Sequence, residues 1–149
     1  MIVKSLEQLN SLSCKVADQL IKNDCIFLIG EIGVGKTTFT RYLINYLQKK
    51  NGEKMTEVLS PTFNLLYEYD LKNLKIMHYD LYRIRDEEEL KHLGIFSGNE
   101  DTVKIIEWPQ LINIPSSDKL EIYIDYAENE NEREVKFKGS ERWKILNEL

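Results

Sequence analysis

The sequence has no long apolar run, and its hydrophobic segments fall well short of the ~20 residues that cross a bilayer. It has only two cysteines, Cys14 and Cys25, and neither lies at metal-ligand spacing from a histidine or another cysteine. The first residues, 1–7, lack the apolar core of a secretion signal. These absences predict a cytoplasmic protein with reduced thiols, no membrane association and no disulfide framework.

Basic residues are also scarce. The 149 residues carry 20 Lys and Arg against 25 Asp and Glu, which gives a net charge of −5. A protein that binds nucleic acid by itself usually has a basic surface, so any link to RNA is expected to run through a partner. The composition, 42% hydrophobic and 30% charged, is that of a globular protein, and the length predicts one domain over 1–149.

The spacing of apolar residues predicts helices that alternate with strands. Ser5 and Gln8 match a capping box at a helix start, and Asp86 begins a short acidic helix that Gly94 ends. Helices are expected over 5–22, 36–49, 86–94 and 140–149. Strands are expected over Cys25–Ile29, 63–69, 74–79, 103–106, 119–126 and 132–138, with the last two paired antiparallel. This order predicts an α/β sandwich with a mixed sheet.

A glycine-rich loop follows the first long predicted strand. Residues 30–37 fit the pattern G-x-x-x-x-G-K-[ST] and open an amphipathic helix, so backbone N–H groups and the helix dipole can bind phosphate. We expect Lys36 to reach the β- and γ-phosphates and the Thr37 hydroxyl to contact Mg²⁺. Thr38 is expected near the α-phosphate, unless it is only an N-terminal helix residue. The loop therefore predicts a P-loop NTPase-like three-layer sandwich, with a mixed, partly antiparallel sheet, that binds ATP or ADP with Mg²⁺.

Two carboxylates end predicted strands and could complete a metal site. A P-loop ATPase needs such a group, on a neighbouring strand, to hold Mg²⁺ directly or through water. Glu107 follows the more apolar strand, so it is the favoured Mg²⁺ residue, and Asp80 is expected to face the γ-phosphate or its water. The alternative for either residue is a solvated loop carboxylate.

Other classes of nucleotide-binding protein can be compared with the same residues. A G protein would carry Asn-Lys-x-Asp and Asp-x-x-Gly, and neither string occurs. A small-molecule kinase usually has an arginine-bearing lid, and this chain has only five arginines. A P-loop kinase and a nucleotide-sensing binding protein without turnover remain as alternatives to an ATPase.

Residues outside the glycine-rich loop suggest a nucleotide-responsive segment. Pro61 predicts a rigid corner, after which the Thr62 hydroxyl could sense the γ-phosphate, although a plain loop corner would have the same sequence. His78 shares a strand face with Asp80 and is interpreted as a structural histidine. Trp108 is placed to shape the metal site or an interface, or to pack in the core.

Four stretches of the chain, 30–38, 60–63, 78–83 and 106–109, together resemble the TsaE (YjeE) family of bacterial ATPases in order and spacing. Further similarity lies in 88–95 and 121–126, so the resemblance covers nearly the whole chain. It implies a Mg²⁺-dependent ATPase that is weak without partners. It also implies a role in making threonylcarbamoyladenosine in tRNAs that read codons beginning with A. In that role the protein assists TsaB and TsaD, resets or regulates TsaD, and meets tRNA only through them.

The resemblance also assigns residues. It gives catalytic roles to Lys36, Asp80 and Glu107, and Mg²⁺ to Thr37 and Glu107. Arg133 aligns with a family arginine that reaches the nucleotide. The phosphate-binding residues are Gly33, Val34, Gly35, Lys36, Thr37 and Thr38. The switch or partner residues are Ser60, Thr62, Tyr82, Arg83 and Trp108.

Overall fold

A computed structural model describes residues 1–96, 101–114 and 119–148 as strands and helices around one sheet. The strands are β1 Ile2–Val3, β2 Cys25–Ile29, β3 Leu66–Leu71, β4 Leu74–Asp80, β5 Thr102–Glu107, β6 Leu120–Tyr126 and β7 Arg133–Lys138. The helices are α1 Leu6–Gln19, α2 Lys36–Lys50, α3 Glu87–Lys91 and a 3₁₀ helix, Glu141–Glu148. None of the helices within these ranges has the length and apolarity needed to cross a membrane.

The seven strands form a mixed sheet in the order β1-β7-β6-β2-β5-β4-β3. The strand β2 runs parallel to β5 and β6, and β4 runs parallel to β5. The outer pairs β3–β4, β6–β7 and β1–β7 are antiparallel. The mixed, partly antiparallel sheet predicted from the sequence is therefore confirmed. The carboxyl ends of β2, β4, β5 and β6 lie at the same edge, where an open α/β sheet binds its ligands.

Both faces of the sheet are covered, which explains why β2 is apolar at every position. The alternate residues Ile26 and Leu28 pack in the core beneath α1 and α2. Residues of the 3₁₀ helix belong to the same core. Phe27 faces the other side and packs with Leu90 of α3 and with Ile112. The glycine-rich loop thus leaves a strand that is fixed from above and below.

Helix α1 begins as its capping residues predict. The Ser5 hydroxyl accepts a hydrogen bond from the Gln8 backbone N–H at 3.2 Å. The Gln8 side chain accepts in return from the Lys4 N–H at 2.7 Å, one residue earlier than in the standard capping box. The helix ends at Gln19, three residues before the predicted end, because Leu20 adopts an extended conformation.

Some predicted boundaries are wrong for local reasons. The strand expected from 63 begins at Leu66, because residues 61–65 form a turn in which the Leu65 N–H donates to the Pro61 carbonyl. The acidic helix has only five residues, and turns follow it before Gly94. The last helix is a 3₁₀ helix, Glu141–Glu148, and residue 149 lies outside the described ranges. The two-residue strand β1 was not predicted.

Candidate nucleotide-binding site

The glycine-rich loop joins β2 to α2 at the carboxyl edge of the sheet. Gly35 caps α2 with a φ of 125°, a conformation that residues with a side chain rarely adopt, and no side chain caps the helix. The first N–H groups of α2 therefore remain available to an anion. Gly30 is needed for a different reason, since a Cβ there would lie 2.2 Å from the Ile124 carbonyl oxygen of β6.

The Lys36 side chain lies in the loop that precedes it. Its Nζ donates hydrogen bonds to the carbonyl oxygens of Gly30 at 2.6 Å and Glu31 at 2.8 Å. Burial lowers the pKa of Lys36, and the nearby carboxylates of Glu107 and Asp80 act in the opposite direction. The ammonium group is therefore held at the mouth of the loop, where a phosphate would displace its carbonyl partners.

The Glu107 carboxylate lies beside the first turn of α2. The Thr37 hydroxyl is 3.2 Å from Glu107 Oε2 and 3.4 Å from Oε1. Asp80 ends the neighbouring strand in direct register with Glu107, and both side chains are buried. The two carboxylates predicted from separate strands thus lie side by side.

A contact that the sequence interpretation missed fixes Glu107 from below. His78 Nε2 is 2.7 Å from Glu107 Oε2, and His78 is fully buried. The alternation of His78 and Asp80 on one face was visible in the sequence. The parallel register that places Glu107 beside His78 was not.

Asp80 joins two segments of chain at the cleft. Its Oδ1 accepts a hydrogen bond from the Tyr82 N–H at 3.0 Å, and its Oδ2 accepts from the Thr62 hydroxyl at 3.0 Å. The Ser60 hydroxyl is in turn 2.8 Å from the Thr62 hydroxyl. The corner around Pro61 is therefore attached to the end of β4 through one carboxylate.

Aromatic side chains form the outer rim of the cleft. Trp108 follows Glu107 with a φ of 58°, and its ring centroid is 4.8 Å from that of Tyr82. The Arg83 guanidinium lies over the Phe63 ring at 4.2 Å. Phe63 and Tyr82 are 75% and 53% exposed, so this rim presents apolar surface to solvent.

These residues enclose a cleft of about 330 Å³. The structure therefore brings together most of the predicted site, and it adds Ile32, a variable position of the loop pattern that no sequence argument singled out. The lining residues are Ile32, Gly33, Lys36, Thr37, Ser60, Thr62, Asp80, Tyr82, Arg83, Glu107 and Trp108.

Four predicted residues do not line the cleft. Val34 packs in the core, and Gly35 and Thr38 belong to the start of α2. Arg133 lies outside the cleft, where its Nε donates to the Val34 carbonyl at 2.9 Å and its guanidinium covers the Tyr126 ring at 4.3 Å. In this structure Arg133 therefore supports the loop backbone, and its reach to a nucleotide remains a prediction.

The oxygen ligands at the cleft fit Mg²⁺ that arrives with a nucleotide. Across the described ranges, no cluster of three or more His, Cys, Asp or Glu side chains could hold a metal ion. The Thr37 hydroxyl and the Glu107 carboxylate are hard oxygen donors on one side of the cleft. Mg²⁺ commonly binds through one or two carboxylates together with substrate phosphates, so the donor set is suitable for a metal–nucleotide complex.

The chain is similar to proteins of one family along most of its length. The family model "Threonylcarbamoyl adenosine biosynthesis protein TsaE" matches residues 3–135. A Rickettsia conorii protein named tRNA threonylcarbamoyladenosine biosynthesis protein TsaE is 39% identical over 74% of this chain. The chain spans 61% of that relative's length, less than two thirds. A protein of the same name from Aquifex aeolicus is 34% identical, over 91% of this chain and 92% of its own.

A solved structure agrees with the fold. The crystal structure of Bacillus subtilis YdiB superposes with a TM-score of 0.69 and 27% sequence identity. The match covers 99% of this chain and 90% of that one. The likeness therefore extends beyond the glycine-rich loop to the whole sheet.

Proposed function

Because the chain belongs to the TsaE family, we propose that it is an ATPase that assists the formation of threonylcarbamoyladenosine in tRNAs reading codons that begin with A. It acts with TsaB and TsaD, and its ATP hydrolysis resets or regulates TsaD. The net charge of −5 supports contact with tRNA only through these partners.

The observation that carries the ATPase proposal is the meeting of Lys36, Thr37 and Glu107 in one cleft at the start of α2. The loop N–H groups and Lys36 bind the β- and γ-phosphates. Thr37 and Glu107 hold Mg²⁺, which when bound neutralises charge on the phosphates. Lys36 must exchange its two carbonyl partners for phosphate oxygens, which supports slow hydrolysis by the chain alone.

Asp80 is proposed to position the attacking water. Its Oδ2 accepts the hydrogen bond of Thr62, the residue proposed to sense the γ-phosphate. When Thr62 turns towards a γ-phosphate, Oδ2 becomes available to orient a water molecule. The switch residue and the water-positioning carboxylate thus share one hydrogen bond, so nucleotide binding prepares hydrolysis.

The experiment that tests this proposal measures ATP hydrolysis with Mg²⁺ by the chain alone and with TsaB and TsaD. We expect slow turnover that the partners stimulate. Lys36→Ala should lower it by about 10²–10³-fold, because a charge-stabilising donor is lost. Lys49→Ala, at an exposed position of the same helix, is the control and should leave the rate of ATP hydrolysis unchanged. Normal turnover by folded Lys36→Ala would refute the phosphate-loop assignment.

Two other outcomes would favour the alternatives. A phosphorylated small molecule, formed from ATP without free phosphate, would identify a P-loop kinase. Tight binding of ATP or ADP with no turnover, even with both partners present, would identify a nucleotide-sensing protein. Either result would remove the ATPase proposal.

A further inference from the structure

His78 occupies a position from which it touches the proposed metal-binding carboxylate. In the parallel pair β4–β5, His78 lies opposite Ile105 and Asp80 lies opposite Glu107. The side chains of His78 and Glu107 therefore project from the same face of the sheet, two residues apart in the register of the neighbouring strands. The 2.7 Å contact between Nε2 and Oε2 follows from this register.

The two ring nitrogens of His78 have different surroundings. Nδ1 is buried and has no hydrogen-bond partner among the described residues. A proton on Nδ1 would be left without an acceptor in the core, which is costly. The proton of the neutral ring therefore belongs on Nε2, and Nε2–H donates to Glu107.

Glu107 thus accepts hydrogen bonds from two sides. The Thr37 hydroxyl approaches from α2, and His78 approaches from within the sheet. If the Thr37 hydroxyl turns to a metal–nucleotide complex, its hydrogen bond to Glu107 is lost or lengthened. The hydrogen bond from His78 is expected to remain, because His78 is fully buried beneath the carboxylate.

We propose that His78 is a positioning residue, which fixes the orientation of the Glu107 carboxylate towards Mg²⁺ by donating Nε2–H to Oε2. This inference rests on the proposed function, because it presumes that Glu107 binds Mg²⁺ there. A residue that orients a metal ligand in this way typically changes metal affinity by about 10–100-fold when it is replaced.

The test compares two replacements of similar size. His78→Gln keeps an N–H donor near the Nε2 position, whereas His78→Met fills the space without a donor. The readout is calorimetric titration of Mg²⁺ into the ADP-bound protein, which does not depend on turnover. We expect His78→Met to weaken Mg²⁺ binding by about 10–100-fold, and His78→Gln to recover most of that loss. ADP binding without Mg²⁺ should be unchanged in both variants.

The controls separate the inference from the proposed function. The chain's other histidine, His92, is exposed, and His92→Met should leave Mg²⁺ binding unchanged. If folded His78→Met binds Mg²⁺ as tightly as the wild type, while Glu107→Gln binds it weakly, His78 only fills the core. If Glu107→Gln also leaves Mg²⁺ binding unchanged, the metal role of Glu107 fails, and this inference fails with it.

A measurement on the wild-type protein keeps the inference testable if His78→Met does not fold. Nitrogen NMR of the two histidine rings, at a mildly alkaline pH where an exposed histidine is neutral, reports which nitrogen carries the proton. The signal that is insensitive to His92→Met belongs to His78. It should show the proton on Nε2. A proton on Nδ1 with none on Nε2 would overturn the inference, because Nε2 could not then donate to Glu107.

Discussion

The Lys36 ammonium lies over the face of the Trp108 indole, with Nζ 4.4 Å from the ring centroid. This cation–π contact joins the glycine-rich loop to the residue that follows Glu107, the proposed metal-binding carboxylate. Trp108 holds a left-handed backbone conformation, which an L-residue adopts at an energetic cost. The ring is therefore held over the lysine by the structure around it, and a displacement of the lysine should change the environment of the indole.

We predict that nucleotide binding changes tryptophan fluorescence through Trp108. The chain has two tryptophans, and Trp143, on the 3₁₀ helix, is buried in the core that α1 and α2 cover. Titration with ADP should give a saturable emission change in wild type and in Trp143→Phe, and almost none in Trp108→Phe. An equal change in Trp108→Phe would mean that the signal comes from Trp143, and the prediction would then be wrong.

The two carboxylates should have separable roles. Glu107→Gln keeps the shape and removes the charge, so nucleotide should still bind while Mg²⁺-dependent hydrolysis is lost. Asp80→Asn should lower hydrolysis but leave the Mg²⁺ concentration for half-maximal nucleotide binding unchanged. Both are measured by calorimetry and phosphate release. If Asp80→Asn instead abolishes the Mg²⁺ requirement and Glu107→Gln does not, the proposed roles are exchanged.

The rim at Arg83 is expected to contact the partners. Arg83 stacks on exposed Phe63, beside the corner that is proposed to respond to nucleotide, and exposed arginine and aromatic pairs are common interface anchors. Arg83→Ala should weaken docking to TsaB–TsaD, with little effect on nucleotide binding in isolation. Arg85→Ala, also exposed and two residues away, is the matched control.

The same docking measurement tests the switch. Affinity for TsaB–TsaD should differ between the ATP-analogue, ADP and nucleotide-free states, and the partners should change ATP affinity by the same factor. Equal affinity in all three states would remove the switch, and the protein would then be a constitutive subunit.

The cysteines should differ in reactivity and in their effect on stability. Burial raises the pKa of Cys25 to about 12, so its thiolate is absent at neutral pH. A maleimide should modify partly exposed Cys14 in the folded protein and Cys25 only after unfolding.

Because the unfolded chain ionises Cys25 first, the free energy of unfolding should fall above about pH 8.5, by up to ~1.4 kcal/mol per pH unit. Cys25→Ala should remove this component, and rapid labelling of Cys25 in the folded state would contradict its burial.

Much of the fold and of the site could be predicted because the signals are local. The strand Cys25–Ile29, the loop and the start of α2 are adjacent in sequence, and their patterns need no knowledge of the rest of the chain. Glu107 and Asp80 could be paired because each follows an apolar strand, and such ends meet in parallel sheets. The extent of the domain, 1–149, remains a prediction.

The features that the sequence did not indicate depend on segments that are distant along the chain. The pair Ile2–Val3 is too short to show alternation and is a strand only because β7 pairs with it. Arg133 follows Val34 by 99 residues, and no local pattern could indicate that it would bind that carbonyl. The contact of His78 with Glu107 depends on the register of two strands, and the sequence of neither strand alone indicates that register.

The close approach of Gly30 to β6 makes glycine necessary at position 30 for a reason that does not depend on nucleotide binding. Its missing side chain makes room for the Ile124 carbonyl, which belongs to the sheet and not to any ligand. A descendant of this chain that had stopped binding nucleotide could discard Lys36 and Thr37, yet any side chain at position 30 would still collide with the neighbouring strand. Such a descendant would keep the first glycine of the motif because the packing of the sheet requires it. That glycine alone would therefore not indicate that the descendant had ever been an enzyme.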